Sequence, residues 1–325
     1  MSILRKHLLG LHGMSEAQIY ALLDLAATDA QIPRDALRGR TVVNVFYEPS
    51  TRTRISFELA ARRLGAAVVN FDVATSAVQK GECLVDTVRT LEAMGADAIV
   101  IRHPHSGAPH LAARHVRCAV VNAGDGMHEH PTQALLDLLT IREAKGGVGG
   151  LRVAIVGDVA HSRVARSATY GLTTLGASVV LCGPSTLVPP NLAGPGVEVT
   201  HRLEDALCEA DVVMPLRMQM ERAAGGYVPS LSEYHRLYAI TPQRLRLARP
   251  DAVVMHPGPM NLGVEIVPEV AYGDRSVVLR QVRHGIGVRM AVLYDLLAAR
   301  ADLVQTAPIA RRAVGAGRAP AGTRS

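Results

Sequence analysis

A chain of 325 residues that is 48% hydrophobic, only 3% aromatic and free of tryptophan must build its cores from Val, Leu, Ile and Ala, which suits parallel strands covered by helices. The net charge of +6 is no nucleic-acid signature, because residues 306–325 hold four arginines and no acid, and removing them leaves +2. No run approaches the ~18 apolar residues of a membrane span, and the first residues carry no signal-like apolar core. The expectation is a cytoplasmic protein with no membrane or nucleic-acid partner and a disordered basic tail over 306–325. Cys83, Cys118, Cys182 and Cys208 lie far apart without CxxC spacing. They read as buried thiols, not as a disulfide framework or a zinc site.

Ser15-Glu16-Ala17-Gln18 reads as a capping box opening a helix to about Ala27. A polar connection leads to an apolar strand over 41–46, a polar junction, and helical spacing over 55–64. Then follow a strand over 66–71, a loop over 72–81, a helix over 82–94, a strand over 97–102, a short helix over 111–115 and a strand over 118–122. Pro131 suits the first turn of a helix reaching about Ala144. Residues 146–150 are a glycine linker, after which the pattern restarts. Strands are expected over 152–157, 178–182, 197–201, 211–214 and 252–255, with helices over 163–175, 203–209 and 241–247. Residues 184–195 form a Pro-rich loop, and 215–230 a long loop containing Gly225-Gly226. Residues 276–281 read as extended or loop-like, and 287–300 as a final amphipathic helix. Strand and helix alternate on both sides of the linker, which predicts an α/β protein of two doubly wound domains with mainly parallel sheets.

The polar motifs fall at the carboxyl ends of strands, where ligands collect in such folds. In Pro49-Ser50-Thr51-Arg52-Thr53-Arg54 a strand runs straight into a helix. The unpartnered first N–H groups and the helix dipole make an anion site, and the arginines add charge suited to phosphate oxygens. Ser50 alone would be a good N-cap, but a cap accounts for one residue of the run. Arg102-His103-Pro104 puts an arginine within reach of the same anion; His103 and His105 are assigned no metal role. His130 and Gln133, three apart at a helix start, can hydrogen-bond a small polar acyl group. His128 and His130 hint at zinc, but no cysteine or third ligand lies at a metal-like spacing. Gly157-Asp158-Val159-Ala160-His161-Ser162-Arg163 lacks the second and third glycines of a dinucleotide turn, which argues against a nicotinamide dehydrogenase. Arg217 and Gln219 alternate on one side of an extended segment, and with Arg163 they suit a dicarboxylate. His256-Pro257-Gly258-Pro259 fixes the backbone, removes N–H donors and presents carbonyls to an amine.

With these six motifs in order over about residues 1–300, the chain resembles the catalytic chains of the aspartate carbamoyltransferase family, within the aspartate/ornithine carbamoyltransferase superfamily. The resemblance implies transfer of the carbamoyl group of carbamoyl phosphate to L-aspartate, giving N-carbamoyl-L-aspartate and phosphate in de novo pyrimidine biosynthesis, with no metal and no cofactor. It implies a carbamoyl-phosphate-binding domain over 1–145, with the final helix 287–300 packing back on it, and an aspartate-binding domain over 151–286. Ser50, Thr51, Arg52, Thr53 and Arg102 would hold the phosphate, and Thr53, Arg102 and His130 would polarise the carbamoyl oxygen. Gln133 and the carbonyls of Gly258 and Pro259 would take the carbamoyl amine, and Arg163, Arg217 and Gln219 the aspartate carboxylates. Ser76 and Lys80 match a loop lent to the neighbouring subunit's site, Ser76 for carbamoyl phosphate and Lys80 for aspartate. This implies a homotrimer with shared active sites, open to assembly with a regulatory or dihydroorotase-like chain. Arg52, Thr53, Lys80, Arg102 and His130 are the expected catalytic residues, and Glu48 with Arg163 and Arg222 an expected latch between closed domains. Leu262 stands where relatives often carry a basic residue. Ornithine carbamoyltransferases share the phosphate motif, but carry lysine at the position of Glu48 and His-Cys-Leu-Pro in place of residues 256–259. A non-catalytic assembly subunit would be expected to lack Lys80, His130 or Arg52, and all three are present.

Overall fold

A computed structural model describes residues 3–4, 6–218 and 230–298. The first sheet holds β1 (Thr41–Phe46), β2 (Ala67–Phe71), β3 (Ala98–His103) and β4 (Ala119–Asp125), in the order β2-β1-β3-β4. Around it lie α1 (Glu16–Ala27), α2 (Thr51–Arg63), α3 (Leu84–Ala93), α4 (Ala108–His115) and α5 (Pro131–Lys145). The second sheet holds β5 (Arg152–Val156), β6 (Ser178–Cys182), β7 (Val197–Thr200), β8 (Val212–Pro215) and β9 (Val253–Val254), in the order β7-β6-β5-β8-β9. Its helices are α6 (Arg163–Thr174), α7 (Leu203–Leu207), α8 (Leu231–Tyr238), α9 (Pro242–Leu245) and α10 (Pro268–Ala271), and α11 (Val278–Leu297) ends the described chain. Every ladder in both sheets is parallel, in keeping with the buried, largely β-branched residues of the inner strands β1, β3 and β5.

This topology sets where ligands can bind. In the first sheet β1 lies between β2 and β3, so the chain leaves it toward opposite sides and opens a crevice at its carboxyl end. There Phe46 is in register with Arg102. In the second sheet β5 lies between β6 and β8, and Val156 is in register with Pro215.

α5 joins the two halves. Leu135, Leu136, Leu138, Leu139 and Ile141 are buried along it, and it packs against both α6 and α11. The close approach of α6 depends on Gly171, where a Cβ would lie 2.7 Å from Leu138 Cδ1. Gly146, at φ +78°, ends α5 with its N–H donating to the Arg142 carbonyl at 2.9 Å. α11 packs on α1, α2 and α5, and Asp295 near its end accepts the backbone N–H groups of Ile3 and Leu4 at 2.7 Å each.

Several boundaries differ from expectation. α2 begins at Thr51, four residues before the apolar spacing starts, because its first turn is polar and faces a cavity. α4 begins at Ala108, directly after Gly107 in the left-handed region. α11 begins at Val278, within the stretch expected to be extended. There Gln281 is buried while Leu279 and Val282 are 81% and 51% exposed, which inverts the apolar pattern from which a helix is read. α8 and α10 were not anticipated; Ser230 caps α8 by accepting the Glu233 N–H. All four cysteines are free, but only Cys182 is buried, and Cys83 and Cys208, at helix ends, are exposed. Gln219, Arg222, the Gly225-Gly226 pair, the last residues of the expected final helix and the basic tail lie outside the described residues.

Candidate active site

The carboxyl ends of the two sheets enclose a cavity of about 880 Å³. Residues 48–53 line it from the β1–α2 junction, Arg102 from the end of β3, and His130 and Gln133 from the start of α5. From the second sheet come Arg163 at the start of α6, Arg217 after β8 and residues 256–259 after β9. Every candidate residue among the described ones is therefore brought together, except Ser76 and Lys80. Those two lie between β2 and α3, outside their own chain's cavity, with Lys80 exposed.

Ser50 occupies the N-cap position of α2, but its side chain makes no capping hydrogen bond. The hydroxyl is thus not spent on the helix, and the first-turn N–H groups keep their affinity for an anion. Arg52 is held below its usual pKa, first by burial and then by the charge of Arg217. Two guanidinium groups set close together from opposite walls are stabilised by an anion between them. The loop after β9 fits directly on Arg52: Gly258 sits at φ +65°, and a Cβ there would lie 2.8 Å from Arg52 Cζ. Gly124, at φ +111°, plays the same part for the other arginines. A Cβ there would lie 2.9 Å from Arg163 Nε and 3.3 Å from Arg102 Nη1.

Glu48 ties the two halves. Its Oε2 lies 2.7 Å from Arg163 Nη2 and 3.4 Å from Arg102 Nε. His130 is buried, and its imidazole is held well below the usual histidine pKa, first by burial and then by Arg102, Arg163 and Arg289. The ring is therefore neutral at physiological pH and can offer one N–H to a carbonyl oxygen without adding charge. Its backbone N–H donates to Ser167 Oγ at 2.8 Å, and that hydroxyl donates to Glu129 Oε2 at 2.8 Å. Glu129 Oε2 also accepts the Leu11 N–H at 2.7 Å.

Gln133 Nε2 donates to Asp137 Oδ1 at 3.0 Å, which leaves the amide oxygen as an acceptor for a substrate N–H. Gln281 Nε2 donates to the same Asp137 oxygen at 2.8 Å, and Gln281 Oε1 accepts the His256 N–H at 2.9 Å. One buried carboxyl group thereby sets both Gln133 and the start of the 256–259 loop. Burial pushes Asp137 up to about 7. Burial also pushes Arg289 down to about 10; its guanidinium lies 5.0 Å from the centre of the Phe57 ring and donates to the Gly285 carbonyl at 2.7 Å. The sequence reading missed Asp137, Gln281 and Arg289. The available signal was Gln281, Gly285 and Arg289 at four-residue spacing, one polar stripe on the buried side of α11.

Residues 6–143 match the carbamoyl-P binding domain of aspartate/ornithine carbamoyltransferases, and residues 149–296 match the Asp/Orn binding domain of the same family. The aspartate carbamoyltransferase catalytic subunit of Sorangium cellulosum is 58% identical over 303 residues, covering 91% of this chain and 94% of that one. Aspartate transcarbamoylase from Trypanosoma cruzi, in complex with carbamoyl phosphate and aspartate, superposes with a TM-score of 0.82 at 34% identity, over 90% of this chain and 97% of that one. Ornithine carbamoyltransferase from Pyrococcus furiosus has the same TM-score of 0.82 at 28% identity, over 91% of this chain and 98% of that one. The fold is common to both substrate classes, while the sequence stands much nearer the aspartate enzymes. The chain belongs to the aspartate/ornithine carbamoyltransferase family, among its aspartate carbamoyltransferase catalytic subunits.

Proposed function

We propose that the cavity transfers the carbamoyl group of carbamoyl phosphate to the amine of L-aspartate, releasing N-carbamoyl-L-aspartate and phosphate in pyrimidine biosynthesis. One observation carries this reading: a helix-start anion site with Arg52 and Arg102 shares a single cavity with Arg163 and Arg217, with neutral His130 lining it as well. The first pair suits the phosphate, and the second suits two carboxylates. The neutral amine of aspartate attacks the carbamoyl carbon. A C–N bond forms, and Thr53, Arg102 and His130 stabilise the charge that grows on the carbonyl oxygen. The C–O bond to phosphorus then breaks, and the departing phosphate takes the amine proton. Positioning and oxyanion stabilisation are what such a step needs, rather than a pair of acid–base carboxylates. Glu48 favours aspartate over ornithine, because a lysine at that position would repel Arg163 where Glu48 pairs with it.

The same reading assigns residues 1–145 with the last helix to carbamoyl phosphate and residues 151–286 to aspartate. It places the enzyme in the cytoplasm as a homotrimer, in which Ser76 and Lys80 serve the neighbouring site. Their position outside their own cavity supports this. Replacing Arg52 by alanine tests the assignment: aspartate-dependent phosphate release should fall by about 10²–10³-fold in kcat, with the fold retained by circular dichroism. Unchanged turnover would remove the β1–α2 junction from the site.

A further inference from the structure

A smaller cavity, of about 370 Å³, shares no lining residue with the first. The turn after β4 separates them: His128 and Glu129 line the small cavity, and His130 lines the large one. His110, from α4, meets His128 there with ring centroids 5.4 Å apart. Asp125, the buried last residue of β4, has its Oδ2 3.1 Å from His128 Nδ1. Its carboxylate is held firmly: Oδ2 accepts the Gly107 N–H at 2.6 Å, and Oδ1 accepts Asn122 Nδ2 at 2.8 Å and the Glu129 N–H at 3.0 Å. Candidate ligand atoms of His110, Asp125 and His128 all lie within 4.8 Å of one another.

The plain reading is that Asp125 and His128 staple a turn. It accounts for two of the three residues but not for His110, whose Nδ1 is shielded from solvent and meets no hydrogen-bond partner among the described residues. His7 lines the same cavity, but its Nδ1 accepts the Val120 N–H at 3.0 Å and so is committed to the fold.

We propose that His110, Asp125 and His128 bind one divalent cation of the zinc class, with water from the small cavity completing a tetrahedral shell. Two imidazoles and one carboxylate select such a borderline ion over magnesium or calcium, which want oxygen ligands. The hydrogen bonds that fix Asp125 orient it as outer-sphere contacts do in metal sites. Ligand atoms around tetrahedral zinc stand roughly 3.4 Å apart, so the group must close by at most about 1.4 Å. His110 and His128 are only half-buried and are free to do so. The ion takes the place of the His128–Asp125 hydrogen bond and ties α4 to the turn that carries His130. Chain spacing could not reveal the group, because its third member comes from a separate helix fifteen residues before Asp125. The inference does not rest on the carbamoyl-transfer reading.

The test is a Co²⁺ titration of the full chain, purified without a polyhistidine tag. One equivalent per chain should give the intense visible absorption of tetrahedral cobalt. His110→Ala and His128→Ala should each weaken that equivalent at least tenfold, and His105→Ala, an exposed histidine outside the group, should not. His110→Gln keeps size and polarity and serves if the alanine variant does not fold. Zn²⁺ should raise the Tm of the native chain and not that of His110→Gln. Absence of the tetrahedral spectrum, equal affinity in His110→Gln and the native chain, or equal loss in His105→Ala would each overturn the proposal.

Discussion

Asp137 illustrates how much of the site depends on a residue that lines no part of the cavity. It receives hydrogen bonds from Gln133 and Gln281 while shielded from water, and burial raises its pKa to about 7. In an unfolded chain a carboxyl group ionises near pH 3.9. Between those values the native state holds a proton that the unfolded state has released. The stabilising contribution is therefore complete below about pH 4 and is lost as pH rises toward 7, by at most about 1.4 kcal/mol per pH unit. Asp137→Asn mimics the protonated carboxyl and removes this dependence. Urea unfolding of both proteins from pH 4.5 to 7.5 should show the variant gaining stability relative to the native chain as pH rises. A difference that stays level with pH would mean that Asp137 is ionised throughout. His130 is shifted the opposite way: burial and the neighbouring arginines both depress its pKa.

At the scale of elements, the junctions matter more than the strands and helices themselves. The strand at 41–46 was legible from its apolar run and the capping box at Ser15 from its residues, and both occur as read. Periodicity failed where a polar face is buried or an apolar face exposed. The first turn of α2 carries Thr51, Arg52 and Thr53 toward the cavity, and the first turns of α11 bury Gln281 and expose Leu279. The six motifs were legible because the cavity draws on consecutive residues at strand ends. The network beneath them was not, since Asp137 and Gln281 are 144 residues apart and meet only in the fold. The packing of α6 on α5 gives a separate test. Gly171→Val drives methyl groups into Leu138 and Leu11, and should cost about 1–3 kcal/mol, read as a lower urea midpoint with unchanged slope. A neutral effect would show that the two helices can separate freely.

At the scale of the molecule, two sheets of the same parallel type open their crevices toward each other, so that one set of side chains can hold two substrates at once. α5 and α11 fix that relation, and Glu48 bridges it through Arg163 and Arg102. Lys80 lies outside the cavity of its own chain, and the proposed sharing of sites is therefore measurable. Chains carrying Lys80→Ala and chains carrying Arg52→Ala should each be nearly inactive alone. Mixed after dissociation and reassembly, they should regain a fraction of native turnover, because some sites then combine an intact Arg52 with a neighbour's intact Lys80. Mixtures no more active than their parents would confine each site to one chain. The central claim, that Arg163 and Arg217 select a dicarboxylate amine for carbamoyl transfer, is tested most directly by a carbamoyl-transfer assay with carbamoyl phosphate and either L-aspartate or L-ornithine at equal concentration. The predicted result is product from aspartate and none above background from ornithine; turnover with ornithine alone, or with neither amine, would contradict it.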